Sequence, residues 1–312
     1  MTMLSSVAER LYWMARYLER AEDTARLVSA YNHLIMDIPR GAEPGWDIMV
    51  RILDAVPTFE DQFRVASEQN VLKLIIADAD AICSIPHAVR AARENVRTTR
   101  DVLPEEAWEL VNELYLFTRD SAEKSVGRRN RHAFLAEIIS RCQMINGLLL
   151  STLSRDHAYR FIKLGHLLER ADMTTRVVDV GAGDILDREG AFEAIDPLLW
   201  GSLLQALSAM SAYRRQVGPI VEKNAAVNFV FMQQNFPRSV RFCIRGIREE
   251  LRPLKNNKDA LRVAERIRRR LRRFEADAMT RPELHAFIDD FQAQVNALHQ
   301  AVYDTWFQPE TR

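Results

Sequence analysis

Residues 17–28, YLERAEDTARLV, return 150 positions later as LLERADMTTRVV, residues 167–178. The two stretches agree at Glu19/Glu169, Arg20/Arg170, Ala21/Ala171, Thr24/Thr174, Arg26/Arg176 and Val28/Val178, with Glu22 answered by Asp172. Charged decoration on a helix drifts freely when it faces water, so its return in both halves constrains the fold: two helices must present the same acids and bases to equivalent surroundings. A second match lies at an offset of 151, where IPHAVRAARENVR (85–97) faces FPRSVRFCIRGIR (236–248) and aligns Pro86 with Pro237, Val89 with Val240, Arg90 with Arg241 and Arg97 with Arg248. The chain reads as two diverged copies, 1–150 and 151–312, packed together as one domain in a pseudo-twofold arrangement.

Helical signals dominate and strand signals are nearly absent. Leu4, Val7, Leu11, Met14, Leu18, Ala21, Ala25 and Val28 recur at alternating three and four spacing, behind a capping-box pattern at Ser6-Val7-Ala8-Glu9. This predicts one long amphipathic helix ended by DIPRGAEPG (37–45). Further helices are predicted over 47–55, 59–66, 68–82, 86–101, 105–122, 131–150, 155–180, 191–216, 218–234, 237–252, 258–278 and 282–306, with prolines between or at the starts of most of them. The glycines of VGAGDILDREG (180–190) are expected to close the second signature helix. Their Gly-x-Gly follows a helix and not a strand, which argues against a nucleotide fingerprint. The fold class is therefore an all-α helical bundle.

A second line runs beside the apolar stripe. It reads Ala8, Tyr12, Ala15, Glu19, Glu22, Arg26 in the first copy and Ala158, Ile162, Gly165, Glu169, Asp172, Arg176 in the second. Small and apolar residues followed by acid, acid and base describe a helix packed on two sides, so the carboxylates point inward and need counter-charges. Arg26 and Arg176 are close by spacing. Arg90, Arg93, Arg97 and Arg100 form an arginine stripe, as do Arg238, Arg241, Arg245 and Arg248. These stripes either pair with the signature carboxylates in a structural network or, with them, hold an anionic ligand between helices. If the acids act on a ligand, Glu169→Gln is expected to spare the melting temperature and abolish function; if they serve only the fold, it is expected to destabilise by about 1–3 kcal/mol.

A metal reading competes, because His166, Glu169 and Asp172 stand at i, i+3 and i+6 and Glu19 with Glu22 could complete a carboxylate-rich site. Di-iron bundles use Glu-x-x-His from each of two helices, whereas this chain has His-x-x-Glu once and Arg16 at the equivalent place, so no bound metal is expected. The other histidines form no ligand-spaced cluster. Walker, HExxH and GxSxG motifs are absent, and no cofactor is indicated.

Composition narrows the partners. With 43 Lys+Arg against 43 Asp+Glu, nothing in the net charge calls for nucleic acid or an acidic membrane. Seven arginines crowd residues 262–273, but they run all round a helix among glutamates, the pattern of a solvated, salt-bridged surface. Cys83, Cys142 and Cys243 are odd in number and lack CxxC spacing, which fits a reducing cytoplasm. The N-terminus carries Glu9, Arg10 and Arg16 where a signal peptide needs an apolar run, and no later segment reads as a membrane span, so the chain is expected to be neither exported nor membrane-inserted.

The motifs SSVAERLYWMARYLERAEDTARLV, ARENVRTTRDVLPEEAWELVNELY (91–115), LSRDHAYRFIKLGHLLERADMTTRVVDV (153–180) and QNFPRSVRFCI (234–244) together resemble the alpha-E domain family of bacterial all-helical proteins over nearly the whole chain. The resemblance places the family glutamates at Glu19 and Glu169. Other motif positions fall on Arg20, Glu22, Arg26, Arg93, Asn95, Arg97, Trp108, Asn112, Arg170, Asp172, Pro237, Arg238 and Ser239. One departure stands out: the first copy of the Pro-Arg-Ser motif reads Pro86-His87-Ala88. What the resemblance implies is a partnership with a circularly permuted ATP-grasp protein, and with transglutaminase-like or proteasome-like peptidases, in making or modifying a peptide or amide-linked product. Catalytic roles are open for Glu19, Glu22, Glu169 and Asp172. Ligand-binding roles are open for Arg20, Arg26, Arg90, Arg93, Arg97, Arg170, Arg176, Arg238, Arg241, Ser239, Asn95 and Asn112. A scaffold with purely structural Glu–Arg networks remains the alternative.

Overall fold

The three-and-four apolar periodicity that fills the sequence becomes helix almost everywhere in a computed structural model, which describes residues 3–39, 43–186 and 196–308. Fourteen α-helices and no strand occur among the described residues. They are α1 (Ser5–Asp37), α2 (Asp47–Ile52), α3 (Val56–Gln62), α4 (Glu68–Leu72), α5 (Ile85–Arg97), α6 (Glu105–Ser121), α7 (Arg128–Thr152), α8 (His157–Leu186), α9 (Asp196–Ala206), α10 (Met210–Gln216), α11 (Lys223–Met232), α12 (Val240–Leu251), α13 (Lys258–Leu271) and α14 (Arg281–Trp306).

Several boundaries differ from the sequence expectation for local reasons. The predicted capping box does not form, because α1 starts at Ser5 after Leu4 and its first turn has no side-chain cap. The predicted helix over 191–216 is broken at Ser208, whose φ of 52° is left-handed, and the part of that span before 196 lies outside the described residues. The glycines of 180–190 do not end α8, which continues to Leu186. Gly181 instead allows close approach, since a Cβ there would stand 3.3 Å from Leu203 of α9. Residues 187–190 of that motif lie outside the described residues.

Helix contacts fall into two rings of the same chain order. In the first, α1 packs on α5, α5 on α6, α6 on α7 and α7 back on α1; in the second, α8 packs on α12, α12 on α13, α13 on α14 and α14 back on α8. The rings meet through α1 and α8, and they cross over at their edges, α2 packing on α8 and α9 on α1. A single apolar core runs through both, so the chain is one packed unit, and the break between α7 and α8 at 153–156 sits beside the predicted seam. At the α1–α8 crossing the backbones nearly touch: a Cβ on Gly165 would lie within 3.2 Å of Ala15 Cβ and closer still to the Tyr12 carbonyl. Small residues at this one crossing bring the two signature helices within reach of each other's short acidic side chains.

Helix α7 is long and apolar enough to cross a membrane by length and composition, contrary to the expectation that no segment would be. Here it buries Phe134, Leu135, Ile138, Cys142, Ile145 and Leu149 as one stripe against α1 and α6. On α13, Ala260, Ala264, Ile267 and Leu271 form the buried stripe, and the arginines around it take Asp259, Glu265 and Asp290 as partners. The solvated, salt-bridged reading of that segment is the one the geometry has.

Candidate functional site

The second line of each signature helix faces inward as its small residues require: Ala8, Tyr12, Ala15, Glu19 and Glu22 are buried on α1, and Ala158, Ile162, Gly165, Glu169 and Asp172 on α8. Placing a carboxylate there demands donors. They come across the crossing, reciprocally. Glu169 accepts from Arg16 Nε and Arg20 Nε, each at 2.6 Å. Glu19 accepts from Arg170 Nε at 2.6 Å and Nη2 at 2.8 Å, and lies 2.8 Å from His166 Nδ1. Each Glu-Arg pair thus gives its arginine to the glutamate of the other signature helix, and the residue one turn earlier, Arg16 or His166, completes the set. Intrahelical arginines serve the second acid: Arg26 bonds Glu22, and Arg176 bonds Asp172.

Beyond this shared frame the halves differ. On the Glu19 side Arg238 inserts between the acids. Its guanidinium reaches Glu19 Oε1 and Glu22 Oε1, each at 2.9 Å, and also pairs with Asp23. Arg238 is not on α12, where the arginine stripe had placed it, but in the turn before it; Ser239 is the N-cap of α12, accepting from Phe242 N–H, and does not reach the carboxylates. The Arg238 carbonyl is held by the Thr174 hydroxyl at 3.1 Å. Glu19 is fully buried and this side is closed.

On the Glu169 side no described side chain plays the part of Arg238. A cleft of about 250 Å³ lies there, lined by Glu169, Asp172, Met173, Arg20, Arg176 and Asp54, with Ile52, Ala55, Ile82 and Cys83 among its apolar walls. One Asp172 oxygen bonds Arg176 Nε at 3.0 Å; the other is buried without a hydrogen-bond partner. Thr24, the counterpart of Thr174, also has a buried hydroxyl without a partner.

Electrostatics follow from this packing. Burial opposes ionisation of Glu169, but Arg16 and Arg20 outweigh it and hold the carboxyl at about 2. Burial is likewise overcome at Glu19, where Arg170, Arg238 and His166 keep the acid well below the usual carboxylate range. Asp23 behaves oppositely: burial and the crowding carboxylates Glu19 and Glu22 prevail over Arg238 and raise it to about 8. Burial also raises Asp172 against the pull of Arg176. The Cys83 thiol is pushed up to about 11, chiefly by burial.

The remaining arginine stripe goes elsewhere. Arg93 lies over the rings of Trp108 and Tyr115 and bonds Asn112 Oδ1 at 2.8 Å, Arg97 pairs with Glu94, and Arg90 stands 3.5 Å from Asp80. Asn95 offers its carbonyl to Thr98 and Thr99, while Arg241 lies half-buried on α12. Of the two stripes, only Arg238 meets the signature acids among the described residues, because α5 and α12 turn their own arginines away from the crossing as Val89, Ala92 and Val96, or Val240, Cys243 and Ile247, fill the core.

The histidine spacing does not make a metal site, since His166 turns to Glu19 and to Asn146 Oδ1 while Glu169 turns to Arg16 and Arg20. Tertiary structure does gather a cluster that spacing could not reveal, His285 with Asp179 and Asp289, but its two ring nitrogens point at different carboxylates. Elemental analysis of the purified chain is expected to find no iron, manganese or zinc retained through Glu169, because its oxygens are engaged by guanidinium groups; about one metal atom per chain that disappears in Glu169→Ala would refute this.

Sequence reasoning missed Asp23, Asp54 and Cys83. Asp23 offered a weak signal, an acid next to Glu22 where the matching stretch has Met173; Asp54 and Cys83 arrive from the α2–α3 turn and the segment before α5, and nothing local marks them. No curated protein and no solved structure matches the chain. A family model, Alpha-E, described as a predicted alpha-helical domain with a conserved ER motif, matches residues 3–307. With Glu19-Arg20 and Glu169-Arg170 exchanging partners at its centre, this chain belongs to the Alpha-E family.

Proposed function

We propose that this Alpha-E protein acts beside a circularly permuted ATP-grasp ligase in making or modifying a peptide or amide-linked product, and that it contributes a binding site and not the bond chemistry. The observation that carries the second half is the state of the groups around the cleft. A carboxylate held at about 2 by two arginines is a poor general base at neutral pH, and a thiol held near 11 is not a thiolate nucleophile. Arg20, Arg176, Asp172 and Asp54 are instead fixed donors and acceptors around a cleft, which is what recognition of a polar group needs. The ligase partnership itself rests on the family resemblance. The matching order of helix contacts and the reciprocal ion pairs also support an origin of the two halves by duplication.

Size-exclusion chromatography of the purified chain mixed with the circularly permuted ATP-grasp protein encoded in the same genome tests the partnership. Co-elution at micromolar concentration is expected, and separate elution with and without ATP would remove the ligase from the proposal. The binding role has its own control: the isolated chain, given ATP and candidate amine and acid substrates without the ligase, should form no amide.

A further inference from the structure

We propose that the cleft between Glu169 and Asp172 binds a guanidinium group, the side chain of an arginine-bearing small molecule or peptide, in the position that Arg238 takes in the other half. The inference deepens the binding reading above by naming the ligand class, and its test uses the isolated chain, so it stands or falls separately from the ligase.

Arg238 is held by Glu19, Glu22 and Asp23, flanked by Arg26 and Arg170. The counterparts are Glu169, Asp172, Met173, Arg176 and Arg20, and all five line the cleft. The residue aligned with Arg238 is His87, which sits within the first turn of α5 and packs near Tyr17. Ser84 caps α5, so that helix begins one turn earlier than α12 relative to the repeat, and the turn that delivers Arg238 in one half is wound into helix in the other. Thr24, whose counterpart holds the Arg238 carbonyl, is correspondingly left with a buried, unpartnered hydroxyl.

Asp172 supplies the second observation. It is 9% exposed, and beyond Arg176 it has no donor, one of its oxygens being without a partner, whereas Glu22 takes both Arg26 and Arg238 on a single oxygen, Oε1. A buried carboxylate oxygen with a missing donor is satisfied by an N–H that arrives from outside the chain. A guanidinium fork can serve Asp172 and Glu169 together, as Arg238 serves Glu22 and Glu19, while Ile52, Ala55, Ile82 and Met173 offer apolar surface to an alkyl stem. Neighbouring arginines do not forbid it, because Arg238 itself lies between Arg26 and Arg170 with carboxylates interleaved. Since Arg16, Arg20 and Arg176 already face Glu169, Asp172 and Asp54, the best-matched probe is one whose own carboxylate offsets its guanidinium.

N-acetylarginine and N-acetylcitrulline make the test, because they differ in guanidinium against a neutral ureido group of nearly the same shape. Calorimetric titration of the full chain should give saturable 1:1 binding of N-acetylarginine, weakened about tenfold or more with N-acetylcitrulline and by a similar factor in Asp172→Asn. Thermal unfolding checks that the variant is folded. Should Asp172→Asn not fold, Ile82→Trp at the exposed rim narrows the cleft mouth without touching the core and should weaken binding in the same direction. Absence of saturation with N-acetylarginine up to about 10 mM, equal binding of the ureido analogue, or binding unaffected in the folded variants would overturn the assignment.

Discussion

Replacing Arg238 with methionine is expected to lower the stability of the chain by about 3–5 kcal/mol, the scale of removing one partner from a buried ion network. Three acids converge on this guanidinium, and among the described residues it is the only side chain bonded to Asp23. Methionine fills much of the volume but offers no donor, so Glu19 keeps Arg170 and His166, Glu22 keeps Arg26, and Asp23 is left to burial alone. Arg238→Lys should recover part of the loss, since an ammonium supplies the charge but cannot bridge Glu19 and Glu22 as a fork does. Urea unfolding at neutral pH reads both values. A loss under about 1 kcal/mol for the methionine variant would mean that the closed half does not depend on this residue.

Glu169→Gln should cost a comparable amount, about 3–5 kcal/mol at neutral pH, because it leaves the buried Arg16 and the mostly buried Arg20 facing an amide. Of the two outcomes left open by the sequence, the buried ion pairs favour the loss of stability over a spared melting temperature. The pH dependence identifies the cause. The folded carboxyl is depressed to about 2 from an ordinary 4.5, so its contribution is fully present above pH 4.5 and disappears as pH falls toward 2. The parent chain should therefore lose stability steeply across that window, and the glutamine variant should lose less. Asp23 adds an opposite slope: raised to about 8 from 3.8, it stabilises most when protonated and loses that contribution as pH climbs between those values. Identical stability profiles for parent and Glu169→Gln below pH 5 would show that the carboxylate is not ionised against its arginines.

The binding proposal and the stability predictions meet at the asymmetry between the halves. A protein that keeps one Glu-Arg frame closed with its own Arg238 and leaves the other lining a cleft has built the recognition geometry twice and satisfied it internally once. The closed half serves as a reference for the open one: the fork geometry that holds Arg238 is the geometry a ligand would have to reproduce.

The sequence by itself determined the helical class, the two signature helices and the inward direction of their acids. Those depend on spacing along one chain: Tyr12, Ala15 and Gly165 one and two turns before the glutamates cannot belong to a solvated face, and the buried line agrees. It also registered the His87-for-Arg238 departure that distinguishes the halves, without its meaning. Tertiary structure alone decided which arginine meets which acid. Spacing offered Arg26 and Arg176 within each helix and the two arginine stripes as partners, whereas Glu19 and Glu169 are held mainly by residues about 150 positions away, through a crossing that Gly165 makes tight enough for short side chains. It decided too that Arg238 leaves its helix while Arg93 packs on α6 and Arg90 and Arg97 pair with nearby acids away from the signature helices, since a stripe's direction depends on what the opposite face buries. The cleft was beyond sequence for the same reason: its walls are drawn from α1, α8, the α2–α3 turn and the segment before α5, and only folding brings Asp54 and Cys83 beside Asp172.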